Sequence, residues 1–408
     1  MNKRVAITGL GLVTPLGVGR ELFWPRLRAG ESGISEVKAF DRGGRPCRLA
    51  AEVRDFDAQA FINPRNMRKM DRISWLAVAA ARLAAADARL VIDDNTRDRI
   101  GLLFGSSYGS TDVAVKLGAT IFTGGPRQAN PIIVPNTVMN APAGNAAIEL
   151  GVRGFNSTVN HNSASAETAI AYAASQVDKG PAKAILAGGV DVIGEFFYEV
   201  LTRFKALSGS AGGAEAARPF DQDRNGWVLG EGAGLVCLEA LEDAHARGAT
   251  PYAEILGYGL ASSPAPLTDW PADPQGAVLA LQRALQSAAL TPDQIDLVCA
   301  SANGGIKLDL LEARALETVF GSGPGGPLVS AVKGAVGESF SSGGLRTAVA
   351  ALALKDGLAP PTLGLSNPVV PLNFTGKQAR PAELRTALVT GFSHGGTYAC
   401  LVLGKVRD

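Results

Sequence analysis

Short, unbroken apolar runs alternate along this chain with longer stretches of helical periodicity. Residues 4–8, 99–104 and 182–187 each hold an unbroken run without polar side chains, at 5–7, 100–104 and 184–187, rather than apolar residues at every second position. Strands of that kind are buried on both faces. Gly9-Leu10-Gly11 reads as a turn that closes the first of them. Residues 21–29 read as a short helix and residues 71–87 as a long one rich in Ala and Leu. Residues 227–239 read as two strands joined by a bend at Gly230-Glu231-Gly232. The alternation predicts an α/β protein whose sheet is covered by helices on both faces.

A weak repeat divides the chain. Residues 98–103, followed by Ser106, echo residues 293–298, followed by Ser301. Residues 230–238 echo residues 394–403. Each half reads as one α/β unit packed on the other about a pseudo-two-fold axis. The boundary falls near residues 249–254, which gives an N-terminal half of 1–249 and a C-terminal half of 250–408.

Composition narrows the classes. The 408 residues are 46% hydrophobic, enough for a large core. Lys plus Arg is 39 and Asp plus Glu is 38, for a net charge of +1. That balance argues against nucleic acid or a membrane surface as partner. Cys47, Cys237, Cys299 and Cys400 lie far apart without a CxxC pair, so buried thiols are expected and neither a metal nor a cofactor. Two basic residues open the chain, but Gly9 and Gly11 interrupt the apolar run, so a first strand is expected rather than a signal peptide. No apolar run approaches the ~20 residues of a spanning helix, and a cytoplasmic protein is expected.

The stretch that draws chemistry is Asn160-His161-Asn162-Ser163-Ala164-Ser165-Ala166, a turn between a strand at 154–159 and a helix at 167–177. Such a turn presents one side chain at a helix N-terminus, where backbone N–H groups favour negative charge. Ser163 is the candidate nucleophile, and an alcohol needs a base beside it. His161 and His394 are the candidate bases, with Glu338 or Asp309 to orient one of them. Ser163 also suits a helix N-cap, and Lys333 suits a buried ion pair with Glu338 or Glu312.

Several motifs carry a resemblance. They are Gly125-Pro126-Arg127, Pro131-Ile132-Ile133-Val134-Pro135, Asn140 and Ala143-Gly144, then Arg218-Pro219-Phe220-Asp221, Gly230-Glu231-Gly232-Ala233 and Pro360-Pro361-Thr362. Ile7-Thr8-Gly9-Leu10-Gly11 with Thr14-Pro15 adds to them. Together they resemble the β-ketoacyl-ACP synthases of the elongating type, from about residue 3 to 405. The resemblance implies a thiolase fold, two duplicated α/β halves in a five-layered α/β/α/β/α arrangement, usually dimeric. It also implies chemistry. A cysteine thiolate takes an acyl group from a carrier protein, and two histidines assist decarboxylation of malonyl-ACP and stabilise the enolate.

Carried over residue by residue, the cysteine position falls at Ser163 and the histidine positions at Asn303 and Glu338. Lys333 remains, with the acidic pair Asp309 and Glu312, and the phenylalanine of the family's gating loop falls at His394. The helix dipole contributes only about 1 kcal/mol, far too little to make Ser163 an alkoxide. A carboxylate at Glu338 opposes a developing enolate instead of stabilising it. The closer resemblance is therefore to the chain-length-factor (ketosynthase β) subunits of type II polyketide synthases, which lack the cysteine and both histidines. Leu308-Asp309 with Glu312, and Ser342-Gly343-Gly344, match that group. Its aromatic-polyketide members carry Gln where this chain has Ser163.

Two functions follow. The first is a non-condensing partner of an active ketosynthase in type II polyketide or fatty-acid-like chain elongation, as a heterodimer or a homodimer. Phe122, Ile132 and Met139 would then sit at the dimer contact and set chain length, and Arg65, Arg68 and Lys69 would dock the acyl carrier protein. The second is an acyltransferase or hydrolase that uses Ser163 with His161 or His394 as base on acyl-ACP.

Overall fold

A computed structural model describes residues 3–41 and 43–407. The elements that place the site run in this order. The N-terminal part has β1 (Val5–Thr14), α1 (Arg20–Arg28), α2 (Arg72–Asp87), β2 (Ile100–Gly105), α3 (Thr111–Gly124) and α4 (Ala141–Leu150). Then come β3 (Asn156–Val159), α5 (Ser165–Lys179), β4 (Ala184–Asp191), α6 (Glu195–Arg203) and β5 (Gly232–Ala240). The rest has β6 (Ala253–Ser262), α7 (Gln275–Ala288), β7 (Leu297–Cys299), α8 (Ile306–Phe320), β8 (Leu328–Ser330), α9 (Gly343–Asp356), β9 (Thr386–Ser393) and β10 (Thr397–Gly404).

The main sheet is ordered β8-β7-β9-β10-β6-β1-β5-β4-β2-β3. Read outward from its centre, the two sides repeat. On one side β1–β5 and β5–β4 are antiparallel, and β4–β2 and β2–β3 are parallel. On the other, β6–β10 and β10–β9 are antiparallel, and β9–β7 and β7–β8 are parallel. The sides join where β1 meets β6 antiparallel, with Val5 opposite Ile255. Both echoes in the sequence fall on equivalent strands of this repeat: residues 98–103 lead into β2 and 293–298 into β7, while 230–238 and 394–403 cover β5 and β10.

Three apolar clusters define the layers. One packs α2 and α4 on the outer face of the first half, around Ile73, Leu76, Leu102 and Leu186. A second lies between the two halves and is built on α5 and α9, with Ile170, Val177, Val349 and Leu352. The third packs α7 and α8 on the outer face of the second half, around Leu281, Leu316 and Val402. The layers are therefore α/β/α/β/α, and α5, which follows the Ser163 turn, runs through the middle one. All four cysteines are buried and free.

One sequence expectation fails at the first strand. Gly9-Leu10-Gly11 is not a turn; β1 runs straight through it to Thr14, with a register shift between Ile7 and Gly9. The glycines serve close packing. A Cβ on Gly9 would lie 2.3 Å from Ala84 O, and one on Gly11 1.9 Å from Ala80 O, so α2 rests directly on the strand backbone. The Ala-rich face of α2 and the bare strand are two sides of one contact. The helix after Ser163 also begins earlier than expected, at Ser165.

Among the described residues the outer strand of the first half, β3, has one unpaired edge. α3 has no buried residue. Phe122 is 92% exposed and Ile132 56%, with Val138, Ile148 and Phe155 also exposed. Open strand edges and exposed apolar side chains are features that natural monomers limit. No helix among the described residues is long and apolar enough to cross a membrane.

Candidate functional site

The Ser163 turn is held by its own backbone and by Ser165. Asn162 takes φ 48°, a left-handed conformation open mainly to Gly, Asn and Asp. Ala164 N donates to His161 O at 3.1 Å and Ser165 N to Asn162 O at 3.1 Å. The Ser165 hydroxyl donates to Asn162 O at 2.5 Å and accepts from His161 N at 2.9 Å. Ser163 is buried, and the N-cap of α5 is Ala164, with no side-chain cap. The capping expectation for Ser163 therefore fails: the side chain that ties the turn is Ser165, two residues on.

The two candidate bases are engaged elsewhere. His161 is half-buried, its Nδ1 is 3.3 Å from Thr168 Oγ1, and burial pushes its pKa down. His394 Nδ1 is 2.6 Å from Leu267 O, and its ring stands edge-on to Trp270 at 6.3 Å. Among the described residues neither ring bonds to Ser163. Asp309 and Glu338, proposed to orient a base, bond to other groups.

Asn303, Lys333 and Glu338 do come together, and all three are buried. Lys333 Nζ donates to Glu338 Oε2 at 2.7 Å, and Asn303 Nδ2 donates to the same oxygen at 2.6 Å. Phe340 N donates to the other oxygen, Glu338 Oε1, at 2.6 Å. Asn303 Oδ1 accepts from Gly305 N at 2.8 Å. Burial pushes the Lys333 pKa down, and the Glu338 carboxylate opposes that shift. Each member thus satisfies another, which a buried ion pair requires.

The acidic pair on α8 works differently. Asp309 accepts from Phe220 N at 2.7 Å and from Asn303 N and Gly304 N at 3.0 Å, which fixes the loop that carries Asn303. Burial pushes its carboxyl up to about 7. Glu312 accepts from Ser301 N at 2.9 Å and from the Thr390 hydroxyl. Glu167 on α5 pairs with the buried Arg346 on α9. Burial raises both Glu167 and Glu312. Buried carboxyl groups thus outnumber the buried cations Lys333 and Arg346 here.

Beside this network lies a cavity of about 640 Å³ between α3 and α6. Tyr108 and Phe340 line it, and neither Ser163 nor the Asn303–Lys333–Glu338 group does. The Tyr108 ring lies 4.0 Å from Phe197 and 4.9 Å from Phe340, centroid to centroid. Asp191, at the end of β4, accepts from Ser107 N at 3.1 Å and Ser341 N at 2.9 Å and so ties the two loops together. Sequence reading singled out none of Tyr108, Asp191, Glu167, Arg346 and Phe340. The contacts Tyr108–Asp191, Asp191–Ser341 and Glu167–Arg346 span 83 to 179 residues of chain, where no local pattern reports them.

The remaining predicted residues lie apart from this centre. Arg65, Arg68 and Lys69 are exposed on a turn capped by Asn63, whose Oδ1 accepts from Arg65 N at 3.0 Å. No ion pair engages them among the described residues. Phe122 and Ile132 lie on the exposed apolar rim. Met139 is half-buried, and its Sδ is 3.3 Å from Asn160 Nδ2, so it touches the Ser163 turn.

The sequence matches the family descriptions "Beta-ketoacyl synthase, N-terminal domain" over residues 2–244 and "Beta-ketoacyl synthase, C-terminal domain" over residues 252–366. This chain belongs to the β-ketoacyl synthase family. It is similar to the 3-oxoacyl-[acyl-carrier-protein] synthase 2 of Coxiella burnetii, 34% identical over 417 residues and covering 100% of both chains. The enzyme of that name from Synechocystis is 34% identical over 411 residues, with 100% of this chain and 99% of the relative covered. Among solved structures it is similar to the ishigamide ketosynthase/chain length factor, with TM-score 0.93, 31% identity and 100% of both chains covered. A β-ketoacyl synthase from Burkholderia phymatum gives TM-score 0.92 and 30% identity over 99% of this chain and 100% of that one. The fold is thus the thiolase fold of the ketosynthases, with its duplicated halves.

Proposed function

We propose that this β-ketoacyl synthase family member is a non-condensing subunit of the chain-length-factor type. It pairs with an active ketosynthase and shapes the acyl chain made on an acyl carrier protein, in type II polyketide or fatty-acid-like elongation. One observation carries the reading. Where the resemblance puts the two histidines, Asn303 and Glu338 are bonded to each other, and Glu338 also to Lys333. The carboxylate already takes up two donors on one oxygen and a backbone N–H on the other, so it offers a developing enolate no donor. At the cysteine position no base among the described residues is bonded to Ser163, and an unassisted alcohol is a poor nucleophile.

Pairing is supported by the apolar rim at Phe122 and Ile132, by α3 without a buried residue and by the open edge of β3. The similarity to a ketosynthase/chain length factor structure points the same way. In this reading Phe122, Ile132 and Met139 face the partner, and Arg65, Arg68 and Lys69 meet the acidic carrier protein. The halves divide at 249/250, just before β6, and the protein works in the cytoplasm. The acyltransferase or hydrolase reading is disfavoured because His161 and His394 are bonded to Thr168 and Leu267.

Co-expression with a ketosynthase that keeps the cysteine and both histidines tests the proposal, using malonyl-loaded carrier protein as substrate. The chain alone should be inactive, and the one-to-one complex should extend chains whether residue 163 is Ser or Ala. Extension by the chain alone, abolished by Ser163→Ala, would overturn it.

A further inference from the structure

We propose that Glu338 is a positioning residue that sets where the 640 Å³ cavity ends, acting through the backbone of Phe340. The inference deepens the partner-subunit reading and rests on it only for the natural occupant, an acyl chain. Phe340 takes φ 49°, a region that side chains with a Cβ rarely adopt. Hydrogen bonds on both sides hold it there. Its N–H donates to Glu338 Oε1 at 2.6 Å, and Glu338 Oε2 is itself fixed by Lys333 and Asn303. Glu338 N is anchored to Val228 O at 2.8 Å. The next residue, Ser341, is pinned to Asp191 at 2.9 Å.

That backbone aims the Phe340 ring into an aromatic wall. Its centroid lies 4.9 Å from Tyr108, 5.6 Å from Phe197 and 6.2 Å from Trp227. Tyr108, Phe197 and Phe340 line the cavity, whereas Glu338 does not. Glu338 therefore touches no occupant. It fixes the ring that an occupant would meet. The volume falls in the range of small-molecule sites, and the aromatic end suits the apolar tip of an extended chain.

The test uses this chain alone, with n-alkanoates from hexanoate to hexadecanoate as probes, titrated by calorimetry. In the wild type, affinity should rise roughly fourfold with each methylene up to a length at which the gain stops. Phe340→Gly suits the left-handed backbone and removes the ring. It should move that limit outward by about two carbons, into the space the ring vacates. Glu338→Ala should move it likewise. Glu338→Gln leaves one oxygen for donors on both sides; with that oxygen turned to Lys333 and Asn303 the amide NH2 faces the Phe340 N–H, so this variant too should move the limit outward. An unchanged limit in Phe340→Gly overturns the proposal, as does an unchanged limit in the Glu338 variants, or no binding at any length. If Glu338→Ala does not fold, the other two variants decide. Because no ketosynthase is present, a failed co-expression with the binding pattern intact sinks the partner reading and leaves the positioning role standing.

Discussion

Replacing Lys333 by Met removes one side of a fully buried ion pair and leaves a carboxylate with too few donors. Both side chains of the pair are 0% exposed. Breaking such a pair costs about 3–5 kcal/mol, because the surviving charge stays buried. The loss is held to the lower end because Glu338 keeps the Asn303 amide and the Phe340 N–H as donors. The expected loss for Lys333→Met is therefore about 3 kcal/mol, a large part of a typical domain's stability of about 5–15. Adding Glu338→Gln removes the stranded charge. The double variant should regain about 2 kcal/mol of that loss, a coupling that a double-mutant cycle reads directly. Urea denaturation at pH 7 and 25 °C measures all four proteins. A Lys333→Met loss below about 1 kcal/mol, or strictly additive losses, would refute the claim that these groups satisfy each other.

Phe122→Asp should leave the stability of the single chain within about 0.5 kcal/mol, as for most surface changes, yet abolish pairing seen by light scattering, since Phe122 is 92% exposed. Gly11→Ala should cost about 1–3 kcal/mol or more, read as a lower urea midpoint, because its methyl would sit 1.9 Å from Ala80 O. Asp309 and Asp191 are buried carboxyls raised to about 7 and about 6. The folded state holds their protons more tightly than the unfolded one, so their contribution is full below about pH 4 and lost as pH rises through those values. The stability difference between wild type and Asp309→Asn should accordingly favour wild type less at pH 7.5 than at pH 5; a flat difference would contradict this. Arg68→Glu should weaken capture of the acidic carrier protein by the complex in a pull-down, and added salt should shrink the gap between variant and wild type.

Much of the fold was legible because it is local or repeated. The strand, turn and helix around Ser163 could be read from residues 154–177, and the echoes at 98 and 293 and at 230 and 394 mark equivalent strands. Gly9-Leu10-Gly11 misled because glycine signals a turn unless a helix is known to lie on the strand, and α2 is some seventy residues away. Lys333 and Glu338 lie five residues apart, so their pairing was open to inference, though Glu312 was an equal choice until the folded chain gave it Ser301 and Thr390. The Arg346–Glu167 pair, the Asp191 anchor and the wall of Tyr108, Phe197 and Phe340 arise only when distant loops meet. The capping role given to Ser163 failed for a different reason. Ser165 ties the turn from inside the helix, through His161 N and Asn162 O, an arrangement that the capping rule does not describe.

The most direct test of the account is the mass of the intact chain after incubation with acyl-loaded carrier protein, alone and with its ketosynthase. The account predicts an unmodified mass for this chain in both samples, with the acyl group appearing only on the ketosynthase. An acyl adduct on this chain that disappears in Ser163→Ala would contradict it, and would make Ser163 a working nucleophile.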